Sequence, residues 1–289
     1  MERLLIVGAG DIARRALPAL AACYATTALV RGGSAPPPRG VAVVAADLDR
    51  AESLVQLAGS AELVLHLAPP ADTGAGDART RNLVAALAGA RMLPRRVVYI
   101  STSGVYGDCG GARIDESRPA NPQTDRARRR VDAERALLDW AADRGPEIVI
   151  LRVPGIYAGD RLPLDRLRRR TPVLRAEDDV YTNHVHADDL AAICVRALEP
   201  DVPVGIYNAS DDSELKMGDY FDLVADRFGL PRPPRVSRAE AEQLIPPALL
   251  SFMRESRRLV NRRLKDGLGV RLTYPTVFEG VPRGLAALA

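Results

Sequence analysis

The run Leu4-Leu5-Ile6-Val7, followed by Gly8-Ala9-Gly10 and an Ala/Leu-rich segment through about Ala22, constrains this chain more than any other feature. An apolar stretch of strand length breaks at a glycine turn and changes to helical spacing, which reads as strand, tight turn, helix. In Gly8-x-Gly10-x-x-Ala13 the first glycine permits the turn and the second lets the main chain approach a pyrophosphate. The small third residue lets the helix lie close to the strand. The helix N-terminus adds unused N–H groups and the positive end of the helix dipole. An ordinary strand-to-helix turn would also explain the glycines, but the flanking periodicity favours a dinucleotide site.

The alternation continues. Segment 25–30 reads as a buried strand and 41–46, 63–68 and 96–100 as further strands, with helices predicted over 49–57 and around 82–87 and a loop over 34–39. Strands alternating with helices imply a doubly wound parallel sheet, Rossmann-like, with ligands at the carboxyl ends of the strands. Residues 1–157 and 181–207 are assigned to this α/β domain. A smaller, mostly helical lobe is assigned to 158–180 and 208–289, with helices over 217–228 and 239–260.

At 289 residues the chain is long enough to bury a large core, and 47% hydrophobic with 27% charged residues is ordinary for a globular protein. The net charge of +3 is small and its basic residues are dispersed, which argues against nucleic acid as a partner. No apolar run reaches membrane-span length, and the first strand follows Met1-Glu2-Arg3 without a signal-peptide pattern. A cytoplasmic location with no membrane partner is the resulting expectation. Cys23, Cys109 and Cys194 lack metal-ligand spacing, so neither a metal site nor a disulfide framework is predicted.

No acidic residue occurs between Ile12 and Ala46, where an NAD-binding chain usually places the acid that receives the ribose 2′-hydroxyl. Arg31 stands at the end of the second strand instead, with Arg14 or Arg15 as further candidates, and an arginine there suits a 2′-phosphate. NADP(H) is therefore expected in preference to NAD(H). Asp47 is read either as an adenine contact or as a helix cap. His66, inside an apolar strand, reads as a core histidine.

Ser101-Thr102-Ser103-Gly104-Val105-Tyr106-Gly107 resembles the S-[ST]-x-x-V-Y-G segment of the extended short-chain dehydrogenase/reductases, the epimerase/dehydratase-like branch. Leu65-His66-Leu67-Ala68, Leu151-Arg152-Val153-Pro154-Gly155-Ile156-Tyr157 and His184-Val185-His186-Ala187-Asp188-Asp189-Leu190-Ala191 keep the order and spacing of that branch. So do Asn261-Arg262-Arg263-Leu264, Leu268-Gly269 and Tyr274-Pro275 near the end. The resemblance implies an NAD(P)-binding oxidoreductase or epimerase-like protein acting on a small carbonyl, hydroxyl or nucleotide-linked substrate. It implies cofactor contacts at Gly8, Gly10, Asp11, Ile12, Ala13, Arg31, Asp47, Leu48, Leu67, Ala68, Pro69, Arg130, Val153 and Pro154. Thr102 matches the position that hydrogen-bonds the reacting oxygen, and a homodimer is compatible with the branch.

The chain departs from the branch at its defining Y-x-x-x-K pair. Counting between Pro122 and Glu134 places Arg126 at the tyrosine position and Arg130 at the lysine position. A guanidinium stays protonated at any usable pH and cannot exchange a proton as tyrosine does. Arg126, Arg130 and Glu134 share one helical face, expected to look toward the cleft. Arg130 inherits a ribose-contacting position, Arg126 is expected to hold an anion or oxyanion, and Arg128 and Arg129 read as a solvated face. Tyr106, Tyr157, His184, His186, Asp108, Asp125 and an exposed Cys109 are the remaining candidates for proton transfer. Thr102, Arg126 and Arg130 form the expected catalytic set. The alternative is a catalytically silent NADP(H)-binding sensor.

Overall fold

The computed structural model describes residues 1–31, 41–143 and 145–284; the expected loop at 34–39 lies outside them. Seven strands form one fully parallel sheet: β1 Arg3–Val7, β2 Ala25–Val30, β3 Ala42–Ala45, β4 Leu63–His66, β5 Arg96–Thr102, β6 Glu147–Val153 and β7 Gly205–Asn208. Their spatial order is β7-β6-β5-β4-β1-β2-β3. Val7 is in register with Leu29 on one side and His66 on the other. The order reverses between β1 and β4, so the crevice for a ligand opens beyond Val7 and His66.

Both faces of the central strands are buried, which explains their continuously apolar runs, whereas the edge strand β3 is largely exposed, with Val43 at 49%. Leu4, Ile6, Leu63, Leu65, Val98 and Val149 face the layer containing α1 (Asp11–Cys23). Leu5, Val7, Val64, Val97, Tyr99 and Ile150 face the opposite layer. That layer includes α2 (Ala78–Ala88) and α3 (Asp125–Ala142), while α4 (Ala187–Ala197) lies beside α1. The segment predicted as a helix over 49–57 is a 3-10 helix, Ala51–Leu57.

The smaller cluster of Tyr157, Leu167, Val173, Tyr220, Phe221 and Val277 gathers around α5 (Met217–Arg227). The expected helix over 239–260 is not continuous. Pro246 and Pro247 interrupt it, leaving helices Arg238–Leu244 and Pro247–Leu250, a 3-10 turn Ser251–Met253 and a short strand Arg258–Leu259. Leu264 and Leu268 of the helix Arg262–Leu268 pack into the α1 layer, so this segment returns to the sheet.

Candidate functional site

The glycine turn has the geometry its sequence predicts. Gly8 adopts φ +97, and a Cβ there would meet the main-chain nitrogen of Ala68 at 2.6 Å. The close approach is fixed by two hydrogen bonds, from Leu67 N–H (2.8 Å) and Ala68 N–H (2.9 Å) to the Val7 carbonyl. A Cβ at Gly10 would meet nothing within 4 Å, so this position opens onto free space at the start of α1. Ala13 is fully buried beneath it. The helix begins without a side-chain cap, leaving its first N–H groups facing the crevice.

A cleft of about 570 Å³ occupies this place. It is lined by Gly8, Gly10, Asp11, Ile12, Ala13, Arg31, Asp47, Leu48, Leu67, Ala68, Pro69 and Arg130, residues brought together from the ends of β1, β2, β3, β4 and from α3. Val153 and Pro154, also expected here, are not part of the lining. Val153 is 4% exposed and points into the sheet core, and Ile156, two residues beyond Pro154, reaches the cleft instead. Arg14, expected beside Arg31, also lines the cleft, and Arg79 and Arg161, which the sequence did not assign to the cofactor, complete a basic lining. Five arginines, 14, 31, 79, 130 and 161, face two aspartates, 11 and 47, a formal excess of three positive charges. Arg79 is held by Asp49 at 2.7 and 2.6 Å, and Asp47 accepts from Asp49 N–H at 3.0 Å, combining a local turn with a place at the cleft wall.

Thr102 and Arg126 stand outside this lining. The Thr102 hydroxyl accepts from Gly104 N–H at 3.2 Å and begins the 3-10 turn Ser103–Tyr106. Along α3 the expected face descends into the protein. Arg126 is half-buried with its guanidinium 3.6 Å above the Phe252 ring, and burial lowers its pKa. Arg130 donates to the Tyr99 hydroxyl (3.0 Å) and the Ile100 carbonyl (2.7 Å). Glu134 is buried in a hydrogen bond with Ser101 and an ion pair with Arg152 at 2.7 Å. Arg128 is solvated as expected, beside Asp125. Arg129 is not: it is 7% exposed and donates to the Gly74 carbonyl at 3.0 Å, because this side of α3 meets the loop before α2.

The other candidates for proton transfer hold structural posts away from the cleft lining. His66, read as a core histidine, is indeed buried, against Thr80 (2.9 Å), and desolvation pushes its pKa down to about 3. Burial does the same to His184, while His186 caps α4 through Asp188 N–H. Tyr106 is bonded to Asn208 and Tyr157 to the Thr276 carbonyl, and burial raises both phenols. Asp108 accepts from Ser256 N–H at 2.8 Å, and Asp125 pairs with Arg128 at 2.6 Å. Cys109, expected to be exposed, is half-buried and its thiol is raised by desolvation. Among the described residues there is no cluster of three or more potential metal ligands, and no helix is long and apolar enough to cross a membrane.

Solved structures share this architecture end to end. A conserved protein of unknown function from Silicibacter pomeroyi superposes with a TM-score of 0.75 at 28% identity, covering 97% of this chain and 96% of that one. UDP-glucose 4-epimerase from Thermus thermophilus, solved with NAD, gives 0.75 at 22% identity over 97% of both chains. UDP-glucuronic acid 4-epimerase from Bacillus cereus, also in complex with NAD, gives 0.76 at 16% identity over 98% of this chain and 97% of that one. No curated protein gives a significant sequence match. The profile of the NAD dependent epimerase/dehydratase family matches residues 4–210, a span that contains nearly all of the seven-stranded sheet and the whole glycine turn, and the chain belongs to that family.

Proposed function

We propose that the cleft binds NADP(H) in preference to NAD(H), and that the protein is an oxidoreductase or epimerase-like enzyme with an altered catalytic set. The dinucleotide class is supported by the open space at Gly10, the close turn at Gly8, and the positive lining. Structural neighbours solved with NAD support the same class. The observation that carries the preference is Arg31 at the cleft wall directly after β2, with no acid in that stretch to receive a 2′-hydroxyl.

When bound, the nicotinamide supplies hydride transfer. The chain's own groups orient and polarise. Arg130, fixed by Tyr99 and the Ile100 carbonyl, would hold the ribose of a bound cofactor. Thr102 would orient a carbonyl or hydroxyl oxygen of a substrate seated beside the cleft, whereas Arg126, stacked on Phe252 outside the lining, takes no part in the step. Neither arginine supplies a proton, so water or another side chain must supply it. The rival reading, a silent NADP(H) sensor, draws on the same arginines at the tyrosine and lysine positions.

The deciding experiment is a fluorescence titration of the purified protein with NADPH and NADH, repeated on Arg31→Ala. Tighter binding of NADPH, lost selectively in the variant, is expected. Equal affinity for both nucleotides would remove the preference, and binding of neither would remove both readings.

A further inference from the structure

Arg161 belongs to the segment after Ile156, far in sequence from the glycine turn, yet its Nη1 lies 2.7 Å from Asp11 Oδ2. Asp11 sits in the first turn of α1, so its carboxylate stands where the free N–H groups of the helix gather. Arg15, one turn further along, donates to Asp11 Oδ1 at 3.0 Å and also engages Asp160 and Asp188, both at 2.7 Å. Asp160 and Arg161 thus pin one turn of chain against α1 by two ion pairs. Burial opposes ionisation of Asp11, but the hydrogen bonds from Arg161 and Arg15 hold its pKa below the usual value.

Two facts make the Arg161–Asp11 pair an exchangeable one. Its side chains are 36% and 35% exposed, and ion pairs so open to water are weak. Asp11 also keeps Arg15 when Arg161 leaves, so no carboxylate is stranded. A pyrophosphate at the helix N-terminus, with one negative charge on each phosphate, offers Arg161 two charges and bidentate geometry, a stronger partner than one exposed carboxylate. The same phosphate would be repelled by Asp11 unless a cation stood between them.

We propose that Arg161 is a phosphate clamp that changes partner: Asp11 holds it in the free protein, and the pyrophosphate of the bound dinucleotide takes it over. This rests on the dinucleotide reading of the cleft. Arg161 then ties the chain after β6 to the cofactor and screens Asp11 from the phosphates.

The test is a calorimetric titration of the full chain and of Arg161→Gln, Arg161→Lys and Asp11→Asn with NADPH. Adenosine 2′-monophosphate, which lacks the pyrophosphate, serves as comparator. Arg161→Gln is expected to weaken NADPH about tenfold while leaving the monophosphate within about twofold, and Arg161→Lys to recover most of the loss. Asp11→Asn, removing the competing acceptor and a like charge, should tighten NADPH about threefold. NADPH affinity unchanged in Arg161→Gln, or equal losses for both ligands, overturns the clamp and leaves Arg161 as a packing contact. Failure of the wild-type protein to bind either NADPH or NADH shows itself before any variant is compared, and would overturn the dinucleotide reading and the clamp with it.

Discussion

Arg130 Nη1 lies 3.0 Å from the Tyr99 hydroxyl, so a residue of α3 is held by a residue of β5 from beneath the cleft it lines. A second bond from the same nitrogen, to the Ile100 carbonyl at 2.7 Å, fixes its reach. Arg126, one turn earlier, is outside the lining and rests on Phe252. The two arginines should therefore separate in binding measurements. Arg130→Ala is expected to weaken NADPH about tenfold, a charge-assisted contact, whereas Arg126→Ala should leave its dissociation constant within about twofold. Tyr99→Phe, removing one hydrogen bond, should lower stability by about 1 kcal/mol. Equal losses from both arginine variants would show that the cleft extends to position 126.

Gly8 and Gly10 make opposite demands. A methyl group at Gly8 would collide with the Ala68 main chain at 2.6 Å in a left-handed conformation, so Gly8→Ala should cost about 3 kcal/mol or more. Gly10 has φ −78 and open space, so Gly10→Val should fold with nearly unchanged melting temperature yet fail to bind nucleotide. Thermal unfolding and NADPH titration, run on both variants, check the contrast.

Glu134 and Arg152 are each about 5% exposed, and Arg152 also stacks 4.6 Å from the Tyr106 ring centre. Removing one partner leaves the other charge buried, so Glu134→Gln should destabilise by about 3 to 5 kcal/mol in urea unfolding. Glu134→Leu combined with Arg152→Met should recover much of that loss, because the stranded charge disappears.

Asp211 gives the pH dependence a definite sign. It is 3% exposed, its Oδ1 accepts from Ser213 N–H at 2.9 Å, its Oδ2 has no partner among the described residues, and burial raises its pKa to about 7. An acid whose folded pKa exceeds its unfolded value near 4 binds more proton in the folded state between the two. Its contribution to stability therefore falls as pH rises through that window, by up to about 1.4 kcal/mol per unit. The advantage of Asp211→Asn over wild type should grow from pH 5 to 7 and then level off. His66 and His184, both lowered to about 3, act oppositely, gaining stability as pH rises toward 6.5, but they are common to both proteins and cancel in the difference. A pH-independent difference in urea unfolding would contradict the assignment.

The sheet was legible in the sequence because a strand buried on both faces is written as an unbroken apolar run, and the Gly8 turn because only glycine accepts both its φ and its neighbour. The basic cleft wall was not. Arg161 meets Asp11 across 150 residues and Arg79 meets Asp49 across 30, and no local pattern encodes such pairings. Arg129 was misread for a related reason: a run of helical arginines looks solvated until the loop carrying Gly74 is placed against it. The adjacent Pro246 and Pro247 were the signal that 239–260 could not be one helix.

If the site were merely a decayed form of the tyrosine–lysine arrangement, Arg126→Tyr with Arg130→Lys would restore reduction of simple carbonyls by NADPH. The structure argues against such recovery. Position 126 is covered by Phe252, and a lysine at 130 has one ammonium in place of the planar fork that now meets both Tyr99 and the Ile100 carbonyl before facing the cleft. The double variant is therefore expected to show no more carbonyl-dependent NADPH oxidation than wild type, while retaining weakened nucleotide binding. Turnover clearly above wild type would instead mark the protein as a silent descendant whose framework still fits the older chemistry.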